Sequence, residues 1–194
     1  MVMPMRTAHL SPAATRIRRP MQAIATAALG ALLLATPDAA RADRSAVKPS
    51  LLEQLRGGGR IIACRDAAAA QARRLGEGIR GQRIPVGPVL AAPGAPTLES
   101  ARAAFGTAVR TSPLLAGGSD PALPRLFSDA VAPGSNRVLV ASEAVLRRML
   151  PHHGRAPLNE GDCLVLWPER GGRPHIQARL APGDWAGLRA TAHP

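Results

Sequence analysis

Few residues in this chain have chemistry to offer. An apolar run, Ile61-Ile62-Ala63, ends in Cys64, Arg65 and Asp66, and helix-forming residues resume at once from Ala67. A cation and a carboxylate at the end of a strand-like run stand where open α/β sheets bind ligands, outside the carboxyl ends of their strands. A carboxylate can become an aspartyl-phosphate, but such sites bring Mg²⁺ and a cationic partner, and only Arg65 is evident beside Asp66. Ser142-Glu143 has no G-x-S-x-G nucleophile elbow around it. His152-His153 is flanked by Pro151 and Gly154, without a carboxylate or Cys at ligand spacing, and reads as a solvated loop. Gly57 to Gly59 lacks the Lys and Ser/Thr of a phosphate-binding loop and reads as a helix stop. Cys64 and Cys163 are the two cysteines. They suit a disulfide in an oxidising compartment or two buried thiols, and fall short of a zinc site. No cofactor or metal ligand set is read.

The elements that must position these residues alternate. The pattern predicts a short helix over 50–55, a strand over 60–64, a helix over 67–79 and a strand over 89–92. A helix over 97–105 follows, opening like a capping box at Thr97, then a strand over 108–113 and a loop over 114–121. A helix over 122–131, interrupted by Pro124, precedes a buried strand over 138–141 and a helix over 143–150 stopped by Pro151. Strands over 163–167 and 175–180 pair as a hairpin. This order predicts an α/β fold with three layers, helices on both faces of a mostly parallel sheet and an antiparallel hairpin at its edge.

The N-terminus is expected to be removed. Arg16, Arg18 and Arg19 precede the apolar stretch 21–35, and Ala40-Arg41-Ala42 supplies a small-residue cleavage site, as in a signal peptide. That stretch of 15 residues is shorter than the roughly 20 a bilayer span needs, so no stable membrane span is expected after cleavage. Pro20 and Met21 fit poorly with twin-arginine export after Arg18-Arg19, and no lipobox cysteine precedes Asp43. The expectation is a signal peptide over 1–42, one domain over 43–194, and a periplasmic or secreted protein. Of 194 residues 46% are apolar, enough for one core, whereas the 2% aromatic content and the Ala, Arg, Gly and Pro bias match a GC-rich bacterial coding sequence and carry no fold signal.

The whole chain carries a formal +12; residues 1–42 hold five Arg and one Asp, which leaves 20 basic and 12 acidic residues, a net +8. Scattered arginines and almost no aromatics argue against nucleic acid. An anionic ligand, an acidic partner or a merely solvated basic surface remain.

The segments GGGRIIACRD, AQARRLGEGIR, VLAAPGAPTLESARAAFG, RVLVASEAVLR and GDCLVLWP, taken in order, resemble the histidine phosphatase superfamily and its phosphoglycerate-mutase-like fold, in particular its small exported bacterial members. The resemblance covers residues 50–186. It implies an Arg-His pair at the end of the first strand, where the His becomes a phosphohistidine; the pair here is Arg65-Asp66. It implies a second phosphate-clamping Arg, whose position falls on Pro96, before the retained Thr97 and Glu99. It implies a second His, whose place is taken by Ser142, and a covering loop after the Arg-His pair, where only four alanines separate Asp66 from Gln71. Arg65 is thus the remaining candidate phosphate-binding residue, and Asp66, Pro96 and Ser142 are degenerate catalytic positions. The resemblance also sets the first strand beside the strand that opens the hairpin, so that Cys64 and Cys163 face each other as a candidate disulfide. The functional expectation is an exported, catalytically inactive pseudophosphatase that binds phosphate, another phosphorylated or anionic ligand, or a protein partner. The alternative is an active phosphomonoesterase or phosphohistidine phosphatase that uses Asp66 in a rearranged pocket.

Overall fold

The computed structural model describes residues 50–151, 156–169 and 171–190. The signal-like segment and His152-His153 lie outside them. The described residues belong to one compact unit.

Helix α1 (Leu51–Gly57) begins with the Ser50 hydroxyl accepting from the Glu53 N–H at 3.2 Å, while the Glu53 carboxylate accepts from the Ser50 N–H at 2.7 Å. That reciprocal pair satisfies two donors a helix start leaves open. The helix ends at Gly58, whose φ of 76° suits glycine alone; a Cβ there would lie 2.4 Å from the Ser135 nitrogen. Strand β1 (Ile61–Arg65) then runs through the centre of the molecule with four residues buried on both faces. Such two-sided burial is what a continuous apolar run without alternation encodes.

The remaining elements are α2 (Ala69–Gly81), β2 (Val86–Ala91), α3 (Ala95–Phe105), β3 (Arg110–Thr111), α4 (Leu123–Ser128), β4 (Asn136–Ala141), α5 (Glu143–Met149), β5 (Cys163–Trp167) and β6 (His175–Leu180). The sheet order is β3-β2-β4-β1-β5-β6. The first four strands are parallel, and β5 and β6 are antiparallel additions at one edge. One face packs Ile62, Cys64, Val138, Val140 and Val165 under α1, α2 and α3. The other packs Ile61, Ala63, Leu139, Leu164 and Leu166 against Phe127 and Leu146 of α4 and α5. The fold is therefore the expected three-layer α/β arrangement with an antiparallel hairpin at the edge.

Several local expectations are corrected. Strand β2 starts at Val86 instead of Val89, and its pairing with β4 shifts register between Val86 and Val89. Pro88, which has no N–H to donate, is accommodated in that irregularity. Helix α3 starts at Ala95 with Pro96 in its first turn and no side-chain cap. Proline's fixed φ is pre-organised for that position, so Thr97 lies inside the helix and its hydroxyl is free for another partner. The strand over 108–113 shortens to Arg110–Thr111, followed by a 3-10 turn at Pro113–Ala116. Pro124 lies in the first turn of α4 and so opens that helix instead of interrupting it.

Candidate functional site

Arg65 ends β1, and the connection to α2 consists of Asp66, Ala67 and Ala68 alone. The Asp66 N–H donates to the Ala141 carbonyl of β4, so the ends of the two parallel strands lie side by side. Ser142, the first residue past β4, therefore stands next to Asp66. Pro96 enters from the first turn of α3, after β2. The three positions where the resemblance places catalytic groups thus gather at the carboxyl ends of β1, β2 and β4. Arg65, Asp66, Pro96, Glu99, Ser100 and Glu160, with the alanines of the connection, line a cleft of about 380 Å³ there.

Several polar groups of this cleft are engaged with neighbouring residues. The Thr97 hydroxyl donates to Asp66 Oδ2 at 2.7 Å, and Thr97 is buried. Helix α2 has Ala68 at its N-cap and no cap of its own. The two residues before it are held from outside: the Ala67 N–H donates to the Ser100 hydroxyl at 3.0 Å, and the Ala68 N–H to Glu160 Oε2 at 3.3 Å. The Glu160 carboxylate thus stands at the start of the helix, where the dipole favours negative charge. Arg65 turns its Nη1 to the Leu158 carbonyl and lies 3.5 Å from Glu143 Oε2, with about a quarter of each side chain exposed. Glu143 also faces Arg147 at 3.9 Å. In charge, one guanidinium already paired with Glu143 stands against Asp66, Glu99 and Glu160 in the cleft lining.

Beneath the cleft, Cys64 and Cys163 are joined across the β1–β5 pair, where they are direct register partners. Both are buried. The next residue on each side extends the ladder, with the Arg65 N–H donating to the Asp162 carbonyl at 2.9 Å. Asp162, only 2% exposed, accepts from the Asn159 N–H at 2.9 Å and from Arg179 at 2.6 Å. Arg179 also donates to the Ala156 and Pro157 carbonyls. The wall of the cleft that carries Leu158 and Glu160 is held in this way to β6 and to β1.

Sequence reasoning identified Arg65, Asp66, Pro96 and Ser142, and the fold brings them to one place. It did not single out Ser100, Glu160 or the role of Glu143. Ser100 and Glu160 are 34 and 94 positions from Asp66 and belong to no motif, so only the packing of α3 and of the loop before β5 reveals them. Among the described residues no three His, Cys, Asp or Glu side chains gather as a metal site requires, and no helix is long and apolar enough to cross a membrane.

No protein-family model matches the chain, and no curated protein does. Solved structures similar to it include the protein histidine phosphatase SixA complexed with tungstate, at 13% identity and a TM-score of 0.49 over 63% of this chain and 97% of that one. Another is the phosphoserine phosphatase of Entamoeba histolytica in complex with 3-phosphoglyceric acid, at 12% identity and a TM-score of 0.45 over 63% of this chain and 96% of that one. A third is the phosphoglycerate mutase of Plasmodium falciparum, at 16% identity and a TM-score of 0.44 over 61% of this chain and 88% of that one.

Proposed function

We propose that this chain is an exported histidine-phosphatase-like protein that has lost phosphoryl transfer and acts by binding, with a protein partner favoured over an anionic ligand. The observation that carries this reading is the state of the cleft: Asp66 holds the nucleophile's position with its carboxylate bonded to Thr97, and one guanidinium faces three carboxylates. Phosphoryl transfer is mostly positioning and electrostatics, with cations neutralising the equatorial oxygens of the transferred group. Pro96 supplies neither charge nor fork where a second Arg would clamp, and Ser142 supplies no cation. A phosphate entering beside Asp66, Glu99 and Glu160 would meet like charge, and Arg65 would have to leave Glu143 to receive it.

The alternative, hydrolysis through an aspartyl-phosphate on Asp66, lacks support in the same geometry. Such a nucleophile needs a second cation opposite the phosphoryl group, and the lining of the cleft has Arg65 alone. Export rests on the signal-like sequence over 1–42. It assigns the protein to the periplasm or the medium.

The test is an aryl-phosphate hydrolysis assay on the purified protein, with and without Mg²⁺. Rates at background, unchanged by Asp66→Asn, are expected; turnover above background that Asp66→Asn abolishes would refute the non-catalytic reading. Inorganic phosphate should leave the melting temperature unchanged at millimolar concentration, because no site is built for it. N-terminal sequencing of the secreted form should begin at Asp43, and an intact N-terminus on the exported protein would contradict cleavage there.

A further inference from the structure

The opposite end of the sheet is built in the reverse sense. There the chain enters β1, β2 and β4 and leaves β5, and the two exposed large hydrophobic side chains among the described residues both lie at this end: Trp167 at 49% and Val86 at 37% exposure. They stand at the ends of β5 and β2, three strand spacings apart in the sheet order, about 14 Å. Between them the chain presents little side chain. Gly58 bridges Pro133, the Gly59 N–H donates to the Ser135 carbonyl at 2.8 Å, and the Gly134 N–H donates to the Gly57 carbonyl at 2.9 Å.

Trp167 is braced from below. The Arg60 guanidinium lies 3.8 Å from the centroid of its ring, and Arg60 is only 8% exposed. Every hydrogen bond Arg60's side chain makes ends on a neutral acceptor: Gln177 Oε1 at 3.0 Å, Gln54 Oε1 at 3.1 Å and the Gly58 carbonyl at 3.5 Å. Gln177 in turn donates to Gln54 at 2.9 Å, which closes the ring of partners. Burying a charge with no opposite charge against it is costly, and that burial lowers the affinity of Arg60 for its proton. Arg137 donates to the Leu126, Asp129 and Ala130 carbonyls on the other face of the sheet and does not share this surface. At the cleft end, by contrast, Arg65, Arg147 and Arg179 each face a carboxylate. His175 lies directly across the strand pair from Trp167.

We propose that this basal surface, with Trp167 as its anchor, docks an acidic segment of a partner protein, whose carboxylates supply at the edge of the indole the counter-charge that Arg60 lacks. An exposed indole held rigid by a buried guanidinium loses little freedom on binding, and Trp and Arg are the residues that most often dominate interface energetics. The bare floor of Gly and Pro between Trp167 and Val86 lets a backbone lie close to the surface. The occupant is a protein segment and not a small anion, because Arg60 is only 8% exposed and its charge acts on a partner chiefly once water has been excluded from the indole beside it, which a small anion does not do. The inference is independent of whether the cleft catalyses.

The chain has two tryptophans, of which Trp185 is fully buried, so a change in emission that Trp167→Ala abolishes is assigned to Trp167. The probe is a glutamate-rich peptide with interspersed leucine and proline, titrated into the purified protein beside its counterpart with lysine for glutamate. The acidic peptide is expected to give a saturable change in emission. Its affinity should fall about tenfold in Trp167→Ala, stay within about threefold in Trp167→Phe as read by the shift in melting temperature, and fall at least about fivefold between low and high salt. Trp167 is half exposed, so these variants fold. Equal binding of the lysine peptide, or binding indifferent to Trp167→Ala, overturns the proposal. So does an equal response to free glutamate or inorganic phosphate at matched charge, which would mean anion binding only. Self-association by sedimentation that Trp167→Ala abolishes would assign the surface to a second copy and also overturn it.

Discussion

Asp66 and Thr97 form the strongest side-chain link between the end of β1 and α3. The Asp66 carboxylate, just past the end of β1, accepts from the first turn of α3 and ties the sheet to that helix. A hydrogen bond to a charged group with a buried donor contributes about 1.5–3 kcal/mol. Thr97→Val and Asp66→Asn are each expected to lower the unfolding free energy by about 1–2 kcal/mol, and the double variant by little more than either alone. Urea melts of the four proteins check this; fully additive losses would show that the bond contributes nothing. Arg65 and Asp66 were legible in the sequence because the strand end and the helix start bracket them so tightly. The partner of Asp66 was not. Thr97 looked like a helix cap, and only the observed start at Ala95, two residues earlier, frees its hydroxyl for Asp66.

Among the elements, α1, β1, β2 and β4 are fastened by one buried side chain. Asn136 donates to the Leu55 carbonyl at 2.7 Å and to the Pro85 carbonyl at 2.8 Å, and it accepts from the Arg60 N–H at 3.1 Å. Asn136→Ala leaves the buried Arg60 N–H without its acceptor, while the Leu55 and Pro85 carbonyls each keep a backbone donor, the Gly58 and residue-136 N–H groups, and a loss of about 1–3 kcal/mol is expected in denaturant unfolding. Helices α2 and α3 meet through a different device. A Cβ on Gly76 would lie 2.0 Å from the Ala104 carbonyl oxygen, whereas one on Gly57 would meet nothing within 4 Å. Gly76→Ala should therefore cost more than about 2 kcal/mol or prevent folding, while Gly57→Ala should shift stability by no more than about 0.5 kcal/mol; thermal melts of the two distinguish backbone contact from glycine's flexibility. The helical period of α2 was readable, with Ala72, Leu75 and Ile79 on its buried face, but neither the Gly76 contact nor the role of Asn136 has a sequence signature. Both depend on what lies opposite, which local pattern does not encode.

On the scale of the molecule, the Cys64–Cys163 bond joins the centre of the sheet to the antiparallel hairpin across a separation of 99 residues. In the chain-entropy model a loop of this length stabilises by about 4–5 kcal/mol. Denaturant melts with and without reductant should differ by that order, and Cys64→Ala/Cys163→Ala should reproduce the reduced protein; coincident melts would place the stability elsewhere. The sequence by itself determined the order and kind of the elements, because two-sided apolar runs and helical periods are local properties of the chain. It also determined that Asp66, Pro96 and Ser142 bring neither a guanidinium nor an imidazole to the strand ends, wherever the fold puts them. Only the tertiary structure decided that Arg65 is paired with Glu143, that Ser100 and Glu160 hold the two residues ahead of α2, and that Arg60 lies buried against Trp167 with neutral acceptors on its guanidinium. Those are contacts between residues tens of positions apart, and charge, burial and counter-charge acquire meaning only once the sheet has brought them together.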